Sequence, residues 1–108
     1  MTPRLHDQMA QMAVFVRVVD MGSFSAAARS LALTKSAVSK QIAQLEATTG
    51  ARLLHRTTRS LSLTEAGRVL YESAAQAVAL CREAQSRLHD LREEVRGRLR
   101  VTAPLTFA

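Results

Sequence analysis

Between Glu65 and Arg96 the chain has no proline and a single early glycine, and one apolar seam runs along the stretch. Leu70, Ala74, Ala77, Cys81, Ala84, Leu88, Leu91 and Val95 are spaced alternately four and three, and every one is apolar or small. That spacing predicts a helix of about 30 residues, roughly 45 Å long at 1.5 Å per residue, with a heptad seam. A stripe so long cannot be buried by a domain of some 60 residues alone. A second copy of the chain is the simplest partner, and the small residues at the centre of the seam allow close approach. The alternative partner is a different helix on another protein.

What precedes the seam must then be a small domain. The chain has 108 residues, 47% of them apolar, enough for one core with an appended element. It is too short for most enzyme folds, which set two halves around a cleft. A single cysteine excludes an internal disulfide framework and fits a reducing compartment. No apolar run approaches the ~18 residues of a membrane span, and no basic stretch with an apolar block opens the chain. The expected setting is the cytoplasm, with no membrane partner.

Glycines and hydroxyl residues divide residues 1–64. Leu5–Met21 reads as an amphipathic helix with Met9, Met12, Val16 and Val19 on one face, widened by Phe15 and Val18 and stopped by Gly22. Ser23 offers an N-cap to a short helix over Ser25–Ala32, whose Ala26, Ala27 and Ala28 let another helix pack closely. Thr34 is the next candidate cap, for a helix over Lys35–Thr49 closed by Gly50. Its Val38, Ile42 and Leu45 form one stripe for burial. Residues 60–64 alternate with period two, as a strand does, and Leu53-Leu54 precede a basic tip at Arg56-Thr57-Thr58-Arg59. The pair reads as a β-hairpin, although no Asn-Gly or Asp-Gly marks its turn. After Gly97, residues 98–104 alternate like the start of a strand with nothing to pair with.

Charge is concentrated in the same region. The net charge is +6, and residues 35–68 hold Lys35, Lys40, Arg52, Arg56, Arg59 and Arg68 against only Glu46 and Glu65. Such a concentrated surplus suits a polyanion. Helix, tight turn, helix and basic hairpin is the layout of a winged helix-turn-helix. A short helix of small residues braces a second one, whose N-terminal side chains enter the major groove. Lys35, Ser36, Ser39 and Lys40 lie on that helix's first turns, where hydroxyls and ammonium groups meet phosphates and base edges. Catalysis has little support. His6, His55 and His89 are scattered, without metal-ligand spacing to Cys81, and no phosphate loop, GxGxxG or carboxylate pair occurs. Neither a cofactor nor a metal is expected.

Several motifs carry a family resemblance. Residues 22–28 (GSFSAAA), 37–42 (AVSKQI), Leu45-Glu46, Gly50, Arg56-Thr57-Thr58-Arg59 and residues 63–67 (LTEAG) resemble the N-terminal region of LysR-type transcriptional regulators. The resemblance runs from about Met9 to the tail. It implies a mainly α fold: a winged helix-turn-helix over 1–64 (helix-turn-helix about 24–43, wing about 52–63), then a linker helix over 65–96. Such helices usually dimerise antiparallel, which would put Leu70, Ala74, Ala77, Cys81, Ala84, Leu88 and Leu91 at the interface. Residues 97–108 would begin a truncated effector-binding domain, and a small-molecule inducer is expected only for that missing part. Thr34, Lys35, Ser36, Ser39 and Lys40 are the implied DNA contacts of the recognition helix, and Arg56, Thr57, Thr58 and Arg59 those of the wing. The implied target is double-stranded DNA with a partial inverted repeat. Many members have Gln then Pro or Ser where Lys35 and Ser36 stand, and Arg where Lys40 stands. Lysine lacks the planar fork with which arginine reads a base edge.

Overall fold

The computed structural model describes residues 4–57 and 60–107, with side chains described as far as residue 99. Three helices come first: α1 (Leu5–Met21), α2 (Phe24–Leu31) and α3 (Lys35–Thr49). A hairpin of β1 (Leu54–Arg56) and β2 (Leu61–Leu63) follows, then the long helix α4 (Glu65–Phe107). The chain divides after Val78 into two units.

Capping sets the helix boundaries of the first unit. Gly22, at φ 66°, closes α1, and its N–H donates to the Val18 carbonyl at 2.9 Å. The Ser23 hydroxyl accepts from the Ala26 N–H at 3.1 Å and starts α2 one residue earlier than the sequence suggests. Thr34 Oγ1 accepts from the Ala37 N–H at 3.0 Å and starts α3. Gly50, at φ 72°, ends it. Each cap satisfies backbone groups that the helix itself leaves unpaired. The turn between α2 and α3 is closed by a non-glycine residue. Ala32 sits in the left-handed region at φ 56°, and the next amide, of Leu33, reaches back to the Ala28 carbonyl at 2.9 Å.

The core of this unit is built from Phe15 and Val18 of α1, Ala27 and Ala28 of α2, Val38, Ile42 and Leu45 of α3, and Leu53 and Leu54 beside the hairpin. The α3 stripe is fully buried, as its spacing predicts. The face of α1 differs from expectation. Its buried apolar residues are Val14, Phe15, Val16 and Val18, so Val16 of the expected face is buried, while Met12 and Val19 lie at the edge and Met9 is half exposed. The reason is that α1 is packed by α2, α3 and β2 together, so its buried arc is wider than one stripe and centres on Phe15 and Val18. Gln11 falls within that arc. Its Nε2 donates to Gln44 Oε1 at 3.5 Å and its own Oε1 has no partner among the described residues.

The hairpin pairs Leu54 with Leu63, His55 with Ser62 and Arg56 with Leu61, antiparallel. Side chains do the work that an Asn-Gly turn would do. Thr57 Oγ1 accepts from the Ser60 N–H at 2.9 Å, and the Thr57 N–H donates to the Ser60 carbonyl at 3.1 Å. Thr64 then caps α4, accepting from the Gly67 N–H at 3.0 Å and donating to the Arg52 carbonyl at 2.5 Å. Helix and wing meet so closely here that a Cβ on Gly67 would lie 2.0 Å from the Leu53 carbonyl oxygen. The opening turns of α4 lean on the core through Ala66, Leu70 and Tyr71. The Tyr71 hydroxyl donates to Asp20 of α1, and that bond holds the phenol above its ordinary pKa.

The second unit, from Ala79, is helical throughout its described residues. Its side chains are exposed as far as they are described, including Leu80, Leu88, Leu91 and Val95. Arg87–Glu83 at 2.8 Å, Arg96–Glu93 at 3.0 Å and Arg98–Glu94 at 2.6 Å are ion pairs along it. Two readings are corrected here. The helix does not stop at Arg96, and residues 98–104 are helical rather than strand-like. An internal glycine costs a helix only about 1 kcal/mol, and the Arg98–Glu94 pair spans Gly97. A helix satisfies its interior backbone groups without a partner strand.

Candidate nucleic-acid interface

The first turns of α3 present the side chains singled out by the sequence. Lys35, Ser36 and Lys40 are exposed and Ser39 is half-buried. They stay free because the opposite side of α3, through Val38, Ile42 and Leu45, is committed to the core. Thr34 is exposed too, with its hydroxyl accepting the capping bond. The N-terminus of α3 adds partial positive charge to the same surface.

Beside α3 lies an open groove of about 410 Å³. It is lined by Ser23, Phe24 and Ser25 at the α2 start, Lys35 and Ser39 of α3, and Arg56, Thr57, Ser60 and Leu61 of the hairpin. Among the described residues its charged lining is Lys35 and Arg56, both basic, and its polar lining is mostly hydroxyl. Its hydroxyls and the Lys35 ammonium suit an anion such as a phosphate oxygen. Ser36 and Lys40 stand outside this groove on α3, and Thr58 and Arg59 lie outside the described residues.

Arg56 is held from two sides. Its guanidinium carbon lies 4.8 Å from the centroid of the Phe24 ring, and Nη2 lies 3.7 Å from Glu46 Oε1. The second Glu46 oxygen accepts the Leu53 N–H at 2.8 Å. Phe24 and Glu46 stand in the sequence motifs but carry no role that residue type alone reveals. Ser23, Ser25 and Ser60 likewise enter the groove only through folding. The signal that could have found them is the coincidence of an aromatic, a carboxylate and an arginine on three consecutive elements.

The seam residues are divided. Leu70 is half-buried against the core of the first unit and Ala74 is buried, whereas Ala77, Cys81, Ala84, Leu88 and Leu91 are exposed. Among the described residues no helix is long and apolar enough to cross a membrane.

Residues 9–68 match the profile of the bacterial regulatory helix-turn-helix proteins of the lysR family. The chain belongs to the LysR family. An HTH-type transcriptional regulator of Xanthomonas campestris pv. campestris is 47% identical over 107 residues, which cover 99% of this chain and 30% of that protein. This LysR-family chain thus spans about a third of the length of the curated relatives it matches. Among solved structures, the complex of the BenM DNA-binding domain with catB site 1 DNA superposes with a TM-score of 0.67 at 31% identity. It covers 72% of this chain and 87% of that one. The complex of the CbnR DNA-binding domain with DNA gives a TM-score of 0.65 at 32% identity, covering 73% and 91%. The winged helix-turn-helix followed by a long helix is therefore the fold of LysR-family DNA-binding domains.

Proposed function

We propose that this chain binds double-stranded DNA sequence-specifically, as the DNA-binding part of a LysR-type transcriptional regulator. The observation that carries the reading is the shared surface of α3 and the wing. Lys35, Ser36, Ser39 and Lys40 stand on the exposed start of α3, beside a groove with basic and hydroxyl lining. In this reading α3 enters the major groove, with Thr34 at its mouth. The wing, through Thr57, Thr58 and Arg59, follows the flanking backbone or minor groove. The relatives whose structures hold DNA support it.

The chain acts as a homodimer through α4, without catalysis, in the cytoplasm. Two copies related by a dyad place two recognition helices on one face of the duplex, so the target is a partial inverted repeat. The longer regulator adds an effector-binding domain entered through residues 97–108, and a small-molecule inducer acts there.

The test is a fluorescence-anisotropy titration at two salt concentrations. It compares a duplex from upstream of the regulator's own gene with a scrambled duplex of equal length. Preference for the upstream duplex that persists at the higher salt supports sequence-specific binding. Equal affinities that collapse together with salt would reduce the surface to a general polyanion attractor.

A further inference from the structure

Arg56 joins three elements with one side chain. Phe24 opens α2, Glu46 stands late on α3, and Arg56 ends β1 on its way into the wing. The guanidinium stacks 4.8 Å from the Phe24 centroid and lies 3.7 Å from Glu46. Glu46 is itself well fixed, since its side chain is only 11% exposed and it accepts the Leu53 N–H at 2.8 Å. Each contact is modest at a partly exposed site. They act, however, on the outer end of a hairpin that pairs three described residues on each strand and is seated in the core through Leu54, with Leu61 and Leu63 at its edge, and a two-stranded ribbon beyond that seat is marginal alone. A modest restraint is then enough to decide where the ribbon stands. The chemistry also demands arginine, because a planar delocalised cation can lie on a ring while pairing at its edge, and an ammonium cannot.

We propose that Arg56 is a positioning residue for the wing: stacked on Phe24 and paired with Glu46, it sets the hairpin against the recognition helix and does not neutralise a phosphate itself. This rests on the DNA-binding reading above and assigns Arg56 a different task from the other basic residues of the site.

The deciding comparison is Arg56→Lys with Arg56→Ala in the whole 108-residue chain. Amide hydrogen exchange across β1 and β2 is followed without DNA. Affinity is then measured for a duplex selected from a random library on the unaltered chain, and for a random duplex. Both variants are expected to exchange several-fold faster across the hairpin and to lose several-fold in affinity for the selected duplex. Lysine would fail to rescue although it keeps the charge, and the salt slope on random DNA would stay unchanged. Phe24→Leu keeps every charge and should reproduce the affinity loss. If Arg56→Lys retains both slow exchange and affinity while Arg56→Ala flattens the salt slope by about one unit, Arg56 is a phosphate contact and the proposal falls. The exchange measurement needs no DNA, so it decides the positioning role separately. Failure of the unaltered chain to prefer any duplex would strike the functional reading instead.

Discussion

Lys40 and Arg59 are both cations in the basic third of the chain, yet they are expected to behave differently on DNA. Lys40 stands exposed on α3, within reach of base edges in the proposed pose. Lys40→Ala should weaken binding to the selected duplex by about 1–3 kcal/mol and spare random DNA. Unaltered affinity in an anisotropy titration would remove Lys40 from the contact set. Arg59→Ala should weaken selected and random duplexes alike and lower the salt slope by about one unit. An unchanged slope would place Arg59 away from phosphate. Ala32 offers a stability test at the same scale. Its left-handed conformation costs an L-residue about 1–2 kcal/mol, whereas glycine's extra chain entropy costs about 0.5–1 kcal/mol. Ala32→Gly should therefore raise stability by about 0.5–1 kcal/mol, read as a higher thermal midpoint. A lower midpoint would mean that the Cβ has a packing role which outweighs the strain.

The junction of wing and α4 depends on one atom that is not there. Thr64 caps the helix, its own amide binds the Leu53 carbonyl at 3.0 Å, and Gly67 faces that same carbonyl. Gly67→Ala would drive a methyl group into a backbone oxygen, which no rotamer change relieves. A loss of about 3 kcal/mol is expected, measured by urea denaturation, whereas Gly97→Ala, at an exposed helical site where a Cβ meets nothing, should gain about 0.5–1 kcal/mol. Equal effects at the two glycines would refute the close-packing account. Motif reading notices the glycine but not its reason, because the clash involves a backbone carbonyl from a different element. The same distinction holds for α1. A period of 3.6 locates an apolar face, but the number of neighbours packed around the helix decided that Phe15 and Val18, not Met9, lie at its centre.

At the scale of the whole molecule the distal part of α4 leaves an apolar row in water. Leu88, Leu91 and Val95 are 55%, 54% and 45% exposed, a pattern suited to a helix with an absent partner. The chain is expected to sediment as a dimer at micromolar concentration, and Leu91→Glu should shift it towards monomer and lower its affinity for an inverted repeat. A Leu91→Glu chain that stays dimeric would move the interface elsewhere. If the helices run antiparallel with their dyad near the middle of the seam, Cys81 meets its own copy. Mild oxidation should then yield a cross-linked dimer that Cys81→Ser abolishes, and the absence of one would exclude that register. Leu70 and Ala74 show why the seam could not be assigned whole from its period: a heptad does not say which helix or domain covers each position, and these two are covered within their own chain.

Helix number, the caps at Gly22, Ser23, Thr34 and Gly50, the α3 stripe, the hairpin and the exposed basic face are legible in the residues, whereas the caps at Ala32 and Thr64 and the end of α4 are not. Each legible feature depends on interactions within a few positions of sequence: a hydroxyl reaching an amide three residues on, a glycine turning left-handed, an apolar residue every third or fourth place. The tertiary structure alone decided which face of α1 is central, why Gly67 must lack a side chain, and that Arg56 is engaged by Phe24 and Glu46. Those features arise where segments distant in sequence come within a few ångströms, and no local pattern records which side chains will meet there.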